Sequence, residues 1–368
     1  MYRTELNERF TVTKATIALV CIALLIAFTV LGKAVVIPVL FAILLGIVLR
    51  PVEKFLNQKL RIPRVIAILL TVFLFMLLIS GLLYFITFEL TRFMSDLPTL
   101  KKNLNGHMIR IQAWITQTFH VQYAKQQEYI SSATAGTTVS PMTIAQRTMN
   151  SLAALFTAAV VVPVLLFLVM YYRTLFLNFL LKISGEKYHK QMASIIYDTK
   201  YAMQGYIAGL FLEMISVSLL QTTAMWIVGV KYFVFIGIIT GVLNMIPYLG
   251  ILIAGSIGIL IALATGAEPQ QVLFLILGFA TVQFIDNNIL LPNLVGHRVR
   301  INAFFSITGV IAGGIICGVA GMFLAIPIMA LLKVVFDNID HLKPWGELMG
   351  DELPRTVKWK KMNWPKIS

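Results

Sequence analysis

Two stretches without a charged side chain constrain the fold of this chain more than any other feature. Residues 232–267 form an uncharged run of 36 residues, and residues 301–332 form another of 32. As one helix the first would be about 54 Å long, whereas the hydrocarbon core of a bilayer is about 30 Å thick. Only 12% of all residues are charged, against about 25% in soluble domains. The sequence therefore predicts a membrane protein.

Each long run contains residues that weaken a helix near its middle. "NMIPYLG" occupies residues 244–250 in the first, and "GGIICGVAG" occupies residues 313–321 in the second. Proline lacks a backbone N–H donor and glycine lowers helix stability, so both stretches are natural tips for a hairpin. The alternative is that each run crosses the membrane once as a tilted span.

The charges on either side favour the hairpins. If both runs crossed, "GHRVR" at residues 296–300 would be outside the cell and "GAEPQQ" at residues 266–271 would be inside. That arrangement inverts the positive-inside rule. The hairpin arrangement satisfies the rule when the first run enters from outside and the second from the cytoplasm. Broken segments that enter from opposite faces indicate a transport site near the midplane of the bilayer.

Six further apolar segments cover residues 15–32, 34–49, 65–88, 150–172, 201–230 and 272–291. Residues 50–64 carry five basic side chains and one acidic, and residues 173–200 carry five and two, which places both loops and both termini in the cytoplasm. We predict an all-α polytopic membrane protein with about six full transmembrane helices and two broken or re-entrant helical hairpins. Eight apolar segments result by a simple hydropathy count.

The same pass along the chain suggests four regions. Residues 1–88 hold the N-terminal transmembrane segments, and residues 89–149 form a small extracytoplasmic helical insert, whose pattern is amphipathic. Residues 150–340 form the transport region in the membrane, and residues 341–368 are a cytoplasmic tail.

Two acidic residues lie well inside apolar segments, Asp286 in "FIDNNILLPN" and Glu213. An ionisable group costs at least ~2.5–3.5 kcal/mol at the centre of a membrane, so it normally faces a cavity or a partner. Asp286 could bind a cation, carry a proton or anchor a polar substrate. Alternatively, it and the two asparagines after it could cap a broken helix before Pro292. We favour function for Asp286, and leave open whether Glu213 is functional or pairs with a neighbouring helix.

Glycine and proline in the two long runs allow two interpretations. Pro247 and Gly250 could expose backbone carbonyls to a solute or could simply break the helix. Four glycines with the spacing of close helix contacts favour packing over ligand binding; they are Gly313, Gly314, Gly318 and Gly321.

Several classes of function lack support in the sequence. No phosphate-binding loop, metalloprotease motif, nucleophile elbow or Cys/His cluster occurs, so we expect no enzyme and no cofactor other than Na⁺ or H⁺ as a coupling ion. The net charge of +14 is explained by cytoplasmic loops rather than by nucleic acid. Cys21 and Cys317 lie in apolar runs and suggest neither a disulfide nor a zinc site.

Four motifs occur in an order that resembles the autoinducer-2 exporter family of bacterial membrane proteins. They are "YIAGLF" at 206–211, "NMIPYLG" at 244–250, "DNNILLPNLVG" at 286–296 and "GVIAGGIICGVAGMFLAIPIMALLK" at 309–333. The resemblance extends from about residue 14 to residue 337. The matching positions are Pro247, Tyr248, Gly250, Asp286, Asn287, Pro292, Gly313, Gly314, Gly318, Gly321 and Pro327. The chain departs from the pattern at Asn288 and in lacking a proline near Ala303.

The resemblance implies a homo-oligomeric secondary transporter in the bacterial cytoplasmic membrane. Its partners would be the lipid bilayer and a small polar solute or a monovalent cation. It would export a signalling molecule similar to autoinducer-2 or act as a sodium (lithium)/proton antiporter, and a non-transporting envelope scaffold is the alternative of another class. The expected site consists of Asp286, Asn287, Glu213, Pro247, Tyr248 and Gly250.

Overall fold

The fold was analysed in a computed structural model. It describes residues 27–96, 159–246, 249–295 and 301–351, together with scattered positions at 16–24 and 106–127. Every regular element within these ranges is helical, which confirms the all-α class. Most of the predicted first span and extracytoplasmic insert, and the chain after residue 351, lie outside the described residues.

The N-terminal helices follow the predicted segments with one addition. Helix α1 (Lys33–Val48) includes Pro38 and leads, through a bend of 48°, into α2 (Arg50–Lys54) and a π-helical turn (Phe55–Lys59). The stretch predicted as a basic loop is therefore largely helical. Helix α3 (Arg64–Ser95) then covers the third apolar segment and continues beyond its predicted end.

The fourth and fifth segments are joined by helix rather than by an extended loop. Helix α4 (Ala159–Tyr171) bends by 62° into α5 (Arg173–Ile183), whose residues are all at least partly exposed. Helix α6 (His189–Val228) begins twelve residues before the predicted start of the fifth apolar segment. Charged side chains in its first turns hide the helix from a hydropathy count, because that count detects only the part inside the membrane.

The first uncharged run forms a hairpin, as predicted. Helix α7 (Phe233–Asn244) and helix α8 (Leu249–Ala264) are separated by a short break. A Cβ atom added to Gly258 of α8 would lie 3.5 Å from the Ile236 side chain near the start of α7, so the two arms are antiparallel. Gly250 packs so closely on the Leu243 carbonyl that no side chain would fit there.

The second uncharged run also folds back, although its hydrogen bonds are nearly continuous. Helix α10 (Ala303–Asn338) reverses at Gly318, whose φ of 64° and ψ of −148° are not helical. A Cβ atom on Gly309 would lie 2.7 Å from the sulfur of Met329, twenty residues further on. In a straight helix those residues would be about 30 Å apart. The two arms of α10 therefore form the second predicted hairpin.

Between the hairpins runs helix α9 (Pro269–Ile285), which continues as a π-helical segment (Asp286–Val295). Glu268 and Gln271 form a capping box at its start. The helix does not end before Pro292, because the wider π-helical turns accommodate that residue within the segment. After the second hairpin, the short helix α11 (Lys343–Met349) closes the described part of the chain.

Contacts at the helix ends show that the hairpins enter from opposite faces. Lys231, between α6 and α7, binds Asp96 at the end of α3, so α3 and α6 run in the same direction and the first hairpin opens at this end. At the other end Gln191, near the start of α6, donates to the Asn338 carbonyl at the close of the second hairpin. Asn302, at the start of the second hairpin, donates from its side chain to the carbonyls of Leu348 and Gly350, at the end of α11.

The helices are long enough for a polytopic membrane protein. Within the described residues, four are long and apolar enough to cross a bilayer, and up to six if each bent pair is counted as one span. Helix α10 is one of the four by length and composition, but the reversal at Gly318 returns it to the face from which it starts.

Candidate functional site

Three polar side chains from three separate elements meet in the centre of the helices. Glu213 lies in the middle of α6, Asn244 ends α7, and Asp286 begins the π-helical segment. The Asn244 side-chain nitrogen donates to Oε1 of Glu213 at 3.1 Å and to Oδ2 of Asp286 at 2.9 Å. One amide group therefore holds two carboxylates together; we call these three residues the acid pair site.

Both carboxylates of the acid pair site are deeply buried and incompletely satisfied. Glu213 is 4% exposed and Asp286 is 3% exposed. Among the described residues, the second oxygen of each, Glu213 Oε2 and Asp286 Oδ1, has no hydrogen-bond partner. Within the same part of the chain no Lys, Arg or His forms an ion pair with either. Buried polar atoms normally have partners, so these two unpaired oxygens are the candidate ligand positions of the site.

Glycines allow the three elements to approach each other closely. On α7, Gly241 packs against Met214 and Ser218 of α6, only one turn from Asn244. On α6, a Cβ atom at Gly209 would collide with the carbonyl of Leu294 in the π-helical segment. Gly209 belongs to the "YIAGLF" motif, so this motif gains a structural role as the contact surface for the segment that carries Asp286.

The tip of the first hairpin packs against the two arms of the second beside the acid pair site. Ile246, two residues after Asn244, packs in one cluster with Val310 and Ala325 from the two arms of the second hairpin. Pro247 and Tyr248, both predicted site residues, lie outside the described residues. Gly250 lies in the first turn of α8 against Leu243, where it tightens the hairpin.

The asparagines that follow Asp286 do not join the acid pair site. Asn287 is exposed and accepts a hydrogen bond from Gln283 at 2.9 Å, while Asn288 donates to the Phe284 carbonyl at 2.8 Å. They lie on other faces because the helix continues through Asp286. Asp286 itself accepts from a side chain of another helix, so its described contact is not that of a local cap.

Asn244 is the member of the acid pair site that sequence reasoning missed. It lies within the predicted hairpin tip, and it is a polar residue in a run of 36 uncharged ones. This polarity indicated the hairpin tip but not the residues that Asn244 contacts, because Glu213 and Asp286 are far from it in the sequence.

The glycines and prolines of the second hairpin have packing positions. Gly313 and Gly321 contact each other across the two arms, and Gly314 contacts Met322. Gly318 makes the reversal. Pro327 is buried within the second arm, and Pro292 lies in the π-helical segment. The close contacts of Gly313, Gly314 and Gly321 are thus within the chain.

A second polar cluster lies where the first hairpin opens. Asp96 Oδ2 accepts from the Lys231 ammonium and from the Tyr232 hydroxyl, both at 2.5 Å. These hydrogen bonds hold the pKa of Asp96 below its usual value, and the bond to Asp96 raises the pKa of Lys231. A cleft of about 470 Å³ opens here, lined also by Glu89 and Arg92. This cleft does not include the acid pair site.

A comparison with known families decides the affiliation of the chain. The model of the AI-2E family transporters matches residues 18–341. The chain belongs to the AI-2E transporter family. Relatives in Bacillus subtilis (strain 168) include YrrI, 26% identical over 82% of this chain and 86% of its own length, and YueF, 28% identical over 83% and 84%. YhhT of Escherichia coli (strain K12) is 21% identical over 88% and 90%. All three bear names that describe a candidate transport protein.

In this AI-2E protein, the oxygen atoms of the acid pair site can bind a limited range of ligands. Carboxylate and amide oxygens bind hard cations, and carboxylates also carry protons. The affiliation therefore agrees with the expected membrane transporter, while the roles of Glu213 and Asp286 rest on the geometry alone.

Proposed function

We propose that this AI-2E protein is a secondary transporter and that its acid pair site binds the coupling ion. The observation that carries the proposal is the single Asn244 amide, which bonds two buried carboxylates whose remaining oxygens are open. Two negative charges in an apolar environment repel each other strongly unless a positive charge lies between them. The site therefore needs a bound monovalent cation, or a proton on one of the acids.

Exchange between these two states supplies a coupling mechanism. When a cation such as Na⁺ binds, both carboxylates can remain ionised around it. When it leaves, a proton binds to one of the two carboxylates. The other carboxylate stays ionised and can bind the next cation. Movement of the cation in one direction is in this way linked to movement of a proton in the other.

The hairpins give this site access to both faces of the membrane. Asn244 belongs to the hairpin that opens at the Lys231 end, and Ile246 beside it packs on the hairpin that opens at the opposite end. Broken helices that meet near the midplane are typical of secondary transporters, where small shifts of one element open the site alternately. We place the end with Arg50, Arg64 and Arg173 in the cytoplasm, because of the positive-inside rule.

The solute that we propose is a small polar molecule similar to autoinducer-2, moved outward across the cytoplasmic membrane. This part rests on the family affiliation and on the polar character of the site. A second candidate is sodium (lithium)/proton antiport without an organic solute, and the acid pair favours it specifically, because it is sufficient for ion exchange by itself.

Flux measurements in proteoliposomes test the ion site. We expect Asp286→Asn and Glu213→Gln each to lower ²²Na⁺ uptake driven by a pH gradient by about tenfold or more, since each removes one charge and keeps the shape. Asn287→Ala is the matched control, because Asn287 is the next residue, is exposed and accepts its described hydrogen bond from Gln283 rather than from the acid pair site. It should leave uptake within about twofold of the unmodified protein. Normal uptake in both acid variants would exclude the proposed ion site.

The two candidate functions differ in what the solute does. An exporter should move radiolabelled autoinducer-2 out of the loaded compartment, and Na⁺ flux should increase when that solute is present. An antiporter should move Na⁺ at the same rate with and without it.

A further inference from the structure

Gln221 is a buried polar residue that the acid pair site does not use. It lies on α6, eight residues after Glu213, which corresponds to about 12 Å along the helix axis in the direction of Lys231. It is 0% exposed, and Val217 between the two is also buried. Glu213, Val217 and Gln221 follow a spacing of four residues, so they share one face of α6.

Both amide atoms of Gln221 lack a partner. Among the described residues neither Nε2 nor Oε1 accepts or donates a hydrogen bond. By contrast, two buried threonines of the membrane region have partners, since Thr240 donates to Ile236 and Thr71 donates to Ala67, each at 2.7 Å. A buried amide without partners is costly, so Gln221 is a candidate for a polar contact that forms during function.

The neighbours of Gln221 define the direction in which it faces. Ser218 and Thr222, on either side of it in sequence, pack against Gly241 and Gly237 of α7. Met225, one turn further, reaches Gly278 of α9. Gln221 therefore lies on the face of α6 that is turned towards α9, the helix that also leads to Asp286. Beyond it begins the apolar cluster of Met225, Leu275 and Phe279.

The chemistry of the amide selects its occupant. A bare cation would satisfy Oε1 but would be repelled by the N–H groups of Nε2. A hydroxyl group satisfies both, because it accepts from the nitrogen and donates to the oxygen. Neutral molecules with hydroxyl groups therefore fit Gln221, whereas the acid pair fits a cation or a proton.

We propose that Gln221 forms a second binding position, for a hydroxyl group of the transported solute, about two helical turns from the ion site towards the Lys231 end. The proposal rests on the proposed transport function and adds that ion and solute are held by different residues of α6. The solute then passes along the face of α6 that carries Glu213 and Gln221.

Cysteine labelling tests the position without any flux measurement. In a chain with Cys21→Ser and Cys317→Ser, we expect Gln221→Cys to react with (2-aminoethyl) methanethiosulfonate on the order of tenfold faster than Met225→Cys, the equally buried control one turn further. Excess autoinducer-2 should slow the reaction. Equal, slow labelling of both variants in the folded protein, with full labelling in denaturant, would overturn the proposal.

A second variant separates a binding role from a structural one. Gln221→Met keeps the length of the side chain and removes its hydrogen-bonding atoms. If the amide has no protein partner, the unfolding midpoint should stay the same or rise, while autoinducer-2 efflux falls about tenfold and ²²Na⁺ flux changes less than about twofold. A lower midpoint with unchanged efflux would assign Gln221 a structural role. If the unmodified protein moves neither species, the proposed function fails, and the labelling result still decides the binding position.

Discussion

At the scale of residues, a neutral side chain organises the site. Asn244 offers one N–H to each carboxylate, so it links α6 to the segment that carries Asp286 without adding a charge. A lysine in its place would neutralise one acid permanently and leave less affinity for a cation. The amide keeps the two acids close while leaving their charge to be balanced by the ion that is carried.

We expect Asn244→Leu, which has nearly the same volume, to lower both ion binding and stability. It removes the two donors and leaves two buried carboxylates without any described partner, which costs about 1–3 kcal/mol for each lost hydrogen bond. The measurement is the increase of the unfolding midpoint on addition of NaCl, compared with KCl at equal ionic strength. A variant with the same Na⁺-dependent increase as the unmodified protein would contradict the linking role of Asn244.

The Asp96–Lys231 pair predicts a pH dependence of stability at the second polar cluster. The pKa of Asp96 is lowered, so its contribution is complete above its unfolded value of about 4 and is lost as the pH falls through the folded value. The pKa of Lys231 is raised, so its contribution is complete below about 10.4 and is lost as the pH rises through the folded value.

The unfolding midpoint of the unmodified protein should therefore exceed that of Asp96→Asn by the largest amount between about pH 5 and pH 9. The difference should shrink below about pH 4. Asp340→Asn is a matched control for an exposed ion pair at the other end of the molecule, with Lys343 as its partner. A difference between the unmodified protein and Asp96→Asn that is constant from pH 3 to pH 7 would contradict the pairing.

Sequence reasoning found two of the three residues of the acid pair site, for a physical reason. A charged residue inside an apolar segment can be recognised without a structure, because burying its charge is costly. This is how Glu213 and Asp286 were found. An asparagine in a hairpin tip is not costly in the same way, so Asn244 stood out less. Asn287 was predicted for the site because it matches the family motif, but the helix continues there and turns it outward.

At the scale of elements, the second hairpin depends on glycine at its crossing. The carbonyls of Gly313 and Gly321 each occupy the place where a Cβ atom on the other residue would be. Gly318 alone supplies the positive φ of the reversal. The sequence predicted both hairpins from their breaks, but not the helical course of residues 173–200, since a hydropathy count detects only the part of a helix that lies inside the membrane.

Gly321→Ala should therefore destabilise the protein by about 1–3 kcal/mol, because its methyl group would collide with the Gly313 carbonyl. The matched control is Gly81→Ala in α3, where no atom lies within 4 Å of the added Cβ. There alanine should raise stability by up to about 1 kcal/mol, through its higher helix propensity. Thermal unfolding in detergent measures both, and equal effects of the two substitutions would contradict the tight crossing.

At the scale of the whole molecule, the direction of the helices predicts which loops face the cytoplasm. His297 lies outside the described residues, and its neighbours in sequence Val295 and Ile301 lie towards the end that we place inside. Gln271, at the start of α9, lies beside Gly229 at the opposite end. In a chain without its native cysteines, His297→Cys should react only with reagents that reach the cytoplasm, and Gln271→Cys only from outside. Labelling of both from the same face would exclude the two-hairpin topology.

The homo-oligomer stays a prediction that rests on the family. Gly313, Gly314 and Gly321, whose spacing could have served contacts between subunits, are engaged within the second hairpin. Light scattering of the purified protein in mild detergent should give a protein mass larger than that of the 41.1 kDa chain. A monomer that retains transport would contradict the prediction.

The reversal at Gly318 also has a consequence for biogenesis. The two longest uncharged stretches of the chain are those that do not cross. A turn of this kind leaves backbone groups open to lipid until other helices cover them. The ribosome makes the first hairpin before α9, so Asn244 has no contact with Asp286 until α9 has also been synthesised. The second hairpin is made later still, and it covers the tip of the first. We expect the site to assemble only after nearly the whole chain has been synthesised, so that a truncated product cannot open an ion leak in the membrane.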